Sequence, residues 1–176
     1  ELLTPILSKV GAAVNIEIIN SLKLHPENKG MATTLILCVI FNQQLRWVSI
    51  GDSHLYLIRG LTLHKLNADH SMGALLDMHV IDGKMSQEEA ANHPDRNCLL
   101  SYLDGGDIHT IDTSKEALEL QADDVLILAS DGLDTLSTTE IVQIIARKKC
   151  AQDLAEELTD CVTRTGMEGQ DNTTAI

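Results

Sequence analysis

The sequence predicts an α+β domain, an antiparallel sheet with helices packed against it. Three observations predict it. Four short strand-like runs separated by tight turns lie between Thr34 and Leu66. Two Ser-x-x-Glu capping boxes, at Ser86 and Ser137, each open a helical segment. Helical spacing of apolar residues marks further amphipathic segments near both ends. At 176 residues, with no internal repeat and no linker-like stretch, the expectation is one domain over residues 1–176.

Taken in order, Thr4-Pro5 reads as an N-cap followed by proline at the first helical position, where the missing N–H costs nothing. Leu7, Val10, Gly11, Val14 and Ile18 then recur at helical spacing, predicting a helix to about Asn20 and a polar connection from His25 to Gly30. The run from Thr34 to Phe41 is continuous, apolar and β-branched-rich, as expected of a strand covered on both faces. Asn42-Gln43-Gln44, Gly51-Asp52-Ser53 and Arg59-Gly60 turn the chain between Leu45–Ile50, His54–Ile58 and Leu61–Leu66, predicting a four-stranded meander. A mostly helical segment follows, with a helix opened by Ser86 and ended by Pro94. Ile108–Asp112 and Val125–Ala129 return to strand character. Ser137 opens a helix to about Arg147, Leu154, Ala155, Leu158, Cys161 and Val162 mark another, and Thr173 starts a last strand.

Composition narrows the function. Thirteen basic against 26 acidic side chains give a net charge of −13. That argues against duplex binding, which rests on clustered Lys and Arg. An apolar fraction of 44% excludes disorder. Cys38, Cys98, Cys150 and Cys161 form no C-x-x-C pair, so no zinc ribbon or disulfide framework is expected and a cytoplasmic location is. No apolar run approaches the roughly 20 residues of a membrane span. The acidity is therefore either solvated surface or cation-binding chemistry.

Three aspartates sit at turns beside apolar strands: Asp52 in Gly-Asp-Ser, Asp131 in Ser-Asp-Gly and Asp171 in Asp-Asn-Thr-Thr. Carboxylates held at the ends of buried strands repel one another unless a divalent cation sits between them. Aspartate is equally a common turn residue, because it hydrogen-bonds its own backbone. Composition alone leaves both readings open.

The motifs around these aspartates occur in a distinctive order: Gly30-Met31-Ala32-Thr33-Thr34, Ile50-Gly51-Asp52-Ser53, Asp69-His70-Ser71, Glu89-Ala90 with His93-Pro94-x-Arg96-Asn97, Ser130-Asp131-Gly132-Leu133 and Gln170-Asp171-Asn172-Thr173-Thr174. From about Val14 onward the chain resembles the metal-dependent protein phosphatases, the PPM or type 2C serine/threonine family, in compact bacterial form. The resemblance implies a four-layer α-β-β-α sandwich of two antiparallel sheets flanked by helices. It also implies hydrolysis of phosphoserine and phosphothreonine by a metal-activated water. By the same resemblance Asp131 and Asp171 are the catalytic metal ligands, Asp52 helps hold a third, weaker ion, and two Mn²⁺ or Mg²⁺ ions are the cofactors. The implied partners are a phosphorylated protein and a serine/threonine kinase or its targets, with neither nucleic acid nor membrane.

Several departures from the family pattern matter. The family's Arg-x-x-Asn-Glu-Asp and Asp-Gly-x-Gly-Gly segments are absent, and with them an expected phosphate-binding Arg and further metal ligands. Gly11–Asn15 carries no acid to replace them. Glu1 in place of Met, and a last strand cut at Ile176, predict a chain lacking its N-terminal motif segments and its very end. Ala32 replaces a usual Gly, and His54 replaces a usual Arg. The alternative reading is a catalytically inactive, phosphatase-like regulatory module. A third is a sporulation stage II E-like phosphatase acting on an anti-anti-sigma factor. His25, His64, His79 and His109 are scattered and read as surface residues, whereas His70 and His93 read as loop anchors. The stretch from Asp69 to Asn97 corresponds to the family's flap beside the active site, a natural place for substrate selectivity.

Overall fold

Two apolar hairpins build the centre of the molecule. In a computed structural model of the chain, described for residues 3–147, 150–166 and 170–176, β1 (Leu35–Phe41) pairs with β2 (Gln44–Ile50) from Leu35↔Ile50 to Phe41↔Gln44. Their two-residue connection places Asn42 at φ 48° and Gln43 at φ 61°. Left-handed conformation at both central residues matches the strand twist, which is why Asn stands first. β3 (His54–Arg59) pairs with β4 (Thr62–Lys65) in the same antiparallel way.

The two hairpins do not form one meander, which corrects the four-stranded reading. β2 carries β5 (Asp112–Thr113) and β6 (Leu118–Glu119) on its other edge, so the first sheet centres on β2. β3 instead takes β7 (Val125–Ala129) as its second neighbour, in the order β4-β3-β7. Gly51-Asp52-Ser53 therefore carries the chain from one sheet to the other. Turn propensity marks where a chain reverses, not which neighbour the next strand finds.

Each sheet has its own helical cover. α1 (Leu3–Leu24) lies on β2, with Ile18 meeting Ile50 and Leu103 in a buried cluster. Gly11 permits that approach, since a Cβ there would stand 2.5 Å from Ile50 Cδ1. α1 continues past Asn20 to Leu24. The cap assigned to Thr4 concerns a side chain outside the described residues. On the opposite side α4 (Thr138–Ile145) and α5 (Ala151–Thr165) pack on the second sheet. Tyr56, Ile58 and Ile127 join Ile144, Leu158 and Val162 there in one apolar cluster. Leu55 and Leu57 alternate with these on β3 and are equally buried, so they face the first sheet. Two antiparallel sheets flanked by helices result.

Other local readings hold with shifts. α2 (Met72–Ile81) and α3 (Gln87–Ala91) occupy the helical stretch, and both capping boxes form as reciprocal side-chain and backbone bonds. Ser137→Ala is expected to lower stability by about 1 kcal/mol, read as a shift in denaturant midpoint at unchanged slope. Only Asp112 of Ile108–Asp112 is in a strand, and β6 arises in a stretch for which no strand is predicted. β1 is not covered on both faces: Ile40 is 57% and Phe41 65% exposed. A run of uniform hydropathy carries no record of which face the fold covers. After Thr173 the chain does pair as a strand edge, with Leu128 and Ile176 exchanging backbone hydrogen bonds of 3.0 and 2.9 Å.

Candidate functional site

Asp52, Asp131 and Asp171 come from three separate places in the sequence and line one cleft of about 660 Å³. Each is positioned by residues whose types are explained by local geometry.

Asp52 sits where the chain crosses between sheets. Gly51 has φ +106°, and a Cβ on it would lie 2.4 Å from Thr34 Cγ2, so only glycine fits. The turn is pinned from both sides. His70 donates its backbone N–H to Gly51 O at 3.1 Å, and its Nδ1 accepts the Gly51 N–H at 3.2 Å. Asn67 accepts the Leu55 N–H at 2.8 Å and donates to Ser53 O at 2.9 Å. Thr34 and Ser53 hydroxyls share a 2.8 Å hydrogen bond.

His70 must present an unprotonated Nδ1 to accept that bond, and burial holds its pKa below the usual 6.5. The neutral ring is thus built into the turn, as the loop-anchor reading expects. The unfolded chain takes up the proton more readily, so the stability associated with His70 is present above about pH 6.5 and lost as pH falls through its lower folded value. Chemical denaturation at about pH 7.5 and about 5.5 should show a larger loss for the native chain than for His70→Asn. Equal losses would count against it.

Asp131 opens a 3₁₀ helix, Asp131–Thr135, directly after β7. Leu133, fully buried, anchors that turn in the second core. Ser130 then stitches it to the last segment of the chain. Its backbone N–H donates to Thr174 O at 3.1 Å, its hydroxyl accepts the Thr174 N–H at 3.0 Å, and the same hydroxyl donates to Asn172 O at 3.2 Å. Gly132 lets the two backbones meet: a Cβ there would stand 2.5 Å from Asn172 O and 2.4 Å from Thr173 Oγ1. Ser-Asp-Gly thus has a reason at every position. Serine bonds the partner segment, glycine admits it, and Asp131 is carried into the cleft that Asp171 also lines.

Burial first, and then the negative charge of Asp131, raise the pKa of Asp52 above its ordinary 3.8. Asp52 is half-buried whereas Asp131 and Asp171 are exposed, so of the three only Asp52 is desolvated as the sequence predicts; their hard oxygen donors fit a divalent cation such as Mg²⁺ or Mn²⁺. Among the described residues no group of three or more His, Cys, Asp or Glu side chains is close enough to hold an ion by itself.

The cleft also contains residues that motif reading passes over or treats as incidental. Lys65 donates to Asp69 at 2.8 Å, and Ser71 N–H donates to the other oxygen of Asp69 at 3.0 Å. Burial works against the Asp69 charge, yet these bonds hold its pKa below the usual value. Arg96 clamps Asp77 through two bonds of 2.9 Å, tying α2 to the loop after α3. His54, 1% exposed, tilts against Tyr56 with ring centroids 5.2 Å apart. Its Nε2 comes to 2.9 Å from Asp134 Oδ1 at an angle outside a hydrogen bond. The Arg-to-His replacement is thus accommodated inside the second core. Charge spacing in the sequence gives no signal for the Lys65–Asp69 and Asp77–Arg96 pairs as parts of one cleft, because loops bring them together.

No protein-family model matches the chain. The serine/threonine phosphatase stp of Listeria monocytogenes is 32% identical over 171 residues, covering 97% of this chain. The chain spans 65% of that relative's length. Among solved structures, the serine/threonine phosphatase PstP of Mycobacterium tuberculosis superposes with a TM-score of 0.77 at 32% identity, over 96% of this chain and 70% of PstP. The PstP catalytic domain in complex with two manganese ions gives a TM-score of 0.72 at 30% identity, over 96% and 69% of the two chains.

Proposed function

Because the chain belongs to the PPM family of bacterial serine/threonine phosphatases, we propose that residues 1–176 act within a single metal-dependent phosphatase domain hydrolysing phosphoserine and phosphothreonine in proteins. The observation that carries the reading is the convergence of Asp52, Asp131 and Asp171 on one cleft through side chains that only this arrangement explains. Asp131 and Asp171 would be the catalytic metal ligands, and Asp52 would help hold a further, weaker ion. Mn²⁺ or Mg²⁺ suits the oxygen donors, and manganese is the ion in the solved PstP catalytic domain. When bound, a pair of such ions supplies a water of lowered pKa as nucleophile and neutralises phosphoryl oxygens.

The chain's own contribution is rigidity and field. Ser130 and Gly132 fix the spacing of the Asp131 and Asp171 backbones, and His70 with Asn67 fixes the Asp52 turn. Carboxylates held this way need little rearrangement to receive a cation. Lys65 and Arg96 are both engaged by carboxylates, so neither is free to compete with the metal for a phosphoryl group.

The proposed partners are phosphorylated proteins, with a serine/threonine kinase or its targets as counterpart, in the cytoplasm. The four cysteines are free thiols, which suits a reducing compartment. Among the described residues no helix is long and apolar enough to cross a membrane. The test is calorimetric titration of the intact protein with Mn²⁺, followed by phosphate release from a phosphothreonine peptide with and without chelator. Chelator-sensitive release supports the proposal. Metal binding without release would favour the regulatory-module reading.

A further inference from the structure

His54 is 1% exposed, and neither of its ring nitrogens has a hydrogen-bond partner among the described residues. A buried polar atom left unpaired is rare and costly, so it points to a partner of another kind. The ring lines the cleft that Asp52, Asp131 and Asp171 share, and its Nε2 lies 2.9 Å from Asp134 Oδ1. A ring N–H donates along its own bond, and Asp134 stands off that line, so the two atoms are not donor and acceptor. They stand instead as two ligand atoms on one ion stand. Metal–nitrogen and metal–oxygen bonds of about 2.0–2.2 Å, meeting at roughly a right angle as in six-coordination, place their ligand atoms roughly 2.9 Å apart.

We propose that His54 Nε2 and Asp134 Oδ1 ligate a divalent transition-metal ion, such as Mn²⁺, additional to the ions assigned to Asp131 and Asp171. The inference concerns which ion the cleft holds and does not rest on the phosphatase reading. Local structure brings both ligands to the cleft. His54 opens β3, two residues past Asp52. Asp134 is the fourth residue of the 3₁₀ helix that Asp131 begins, and residues three apart eclipse in such a helix, so the two carboxylates fall on one side of it. Lys65 is committed to Asp69 at 2.8 Å and Arg96 to Asp77 at 2.9 Å, so neither cation of the cleft neutralises Asp134. The imidazole sets the class of ion, because Mg²⁺ takes oxygen whereas nitrogen favours the transition metals. Arginine, the family's usual residue at this position, only donates and could not ligate, so the resemblance does not supply this site. Among the described residues no third His, Cys, Asp or Glu side chain completes the set, so water fills the remaining positions and the ion exchanges readily.

The test uses the intact protein, stripped with chelator and reloaded with Mn²⁺, whose unpaired electrons report directly bound nitrogen in pulsed electron paramagnetic resonance. A large excess of Mg²⁺ is then added to displace ions held by oxygen alone. The Mn²⁺ that remains should show nitrogen coupling. His54→Leu, which removes both unpaired ring nitrogens at similar volume, should abolish the coupling, whereas His64→Leu, at an exposed residue of β4, should keep it. Asp134→Ala should weaken the nitrogen-bound Mn²⁺ about tenfold or more. The Asp134 side chain is 65% exposed, so this variant needs no repacking and decides the matter even where His54→Leu fails to fold. Absence of nitrogen coupling in the unaltered protein overturns the proposal, as does complete displacement by Mg²⁺. Coupling that survives His54→Leu, or an affinity that Asp134→Ala leaves unchanged, overturns it equally. Phosphopeptide hydrolysis is measured in parallel. Coupling without hydrolysis upholds the site and fails the phosphatase reading, whereas hydrolysis without coupling fails the site alone.

Discussion

Asp131→Asn is expected to lower chelator-sensitive phosphopeptide hydrolysis by about 10²-fold or more, and to weaken Mn²⁺ binding in parallel. The substitution keeps the side chain's size and removes its charge. Asp131 stands at the start of a 3₁₀ helix anchored by the fully buried Leu133, so the backbone should not move. What is lost is one hard anionic ligand from a cleft whose value to a cation lies in its charge. A second readout does not depend on activity. The pKa of Asp52 is raised by burial and then by Asp131, so in Asp131→Asn the metal-free Asp52 carboxyl should titrate lower, toward 3.8. The same change at Asp153, an exposed residue in the first turn of α5, should alter neither quantity. A loss below roughly tenfold would remove Asp131 from the proposed metal centre.

Gly132→Ala is expected to destabilise the protein by about 3 kcal/mol or more, the upper range for forcing atoms into a filled space. The added methyl would sit 2.5 Å from Asn172 O, a backbone atom, and 2.4 Å from Thr173 Oγ1. Relief requires the last segment to leave β7, breaking the Ser130–Thr174 bonds of 3.1 and 3.0 Å and carrying Asp171 away from Asp131. Stability, by denaturant midpoint, and Mn²⁺ affinity should therefore fall together. Gly106→Ala is the matched comparison, since its Cβ would meet only the end of the Asp104 side chain at 2.9 Å, which can swing aside. It should cost less than about 1 kcal/mol. Equal costs at the two positions would show that the close approach at Gly132 is not what joins the two segments.

Local rules carried much of the fold. The capping boxes at Ser86 and Ser137 are complete within four residues each, and both form. The strands that turned out longest, β1, β2 and β3, are bounded by turn residues, and β1 and β3 carry unbroken apolar runs. β5 and β6, two residues each, leave no comparable pattern, because β2 supplies their partners from a distant part of the chain. The candidate site was legible for a different reason. Asp52, Asp131 and Asp171 sit in motifs whose order resembles the family's, and Gly51, Ser130 and Gly132 meet contacts that explain their residue types. Asp77 and Arg96 fall in the 69–97 stretch that the resemblance places beside the site, but their pairing was not legible, and Lys65 was not legible as a cleft residue at all, since a charged side chain there is most often solvated surface.

The net charge of −13, the order of the motifs and the residue types at Asp52, Asp131 and Asp171 are properties of the sequence alone, and they suffice for the family and the class of ion. Tertiary structure alone decided that Gly51-Asp52-Ser53 crosses between sheets, that Ser130 and Gly132 draw Asp171 to Asp131, and that Met78 and Ile81 stand exposed at the rim of the same cleft. The physical reason is range. Caps, turns and periodicity act over a few residues and are written locally, whereas strand neighbours and cleft walls are set by packing between segments as far apart as residues 52, 131 and 171.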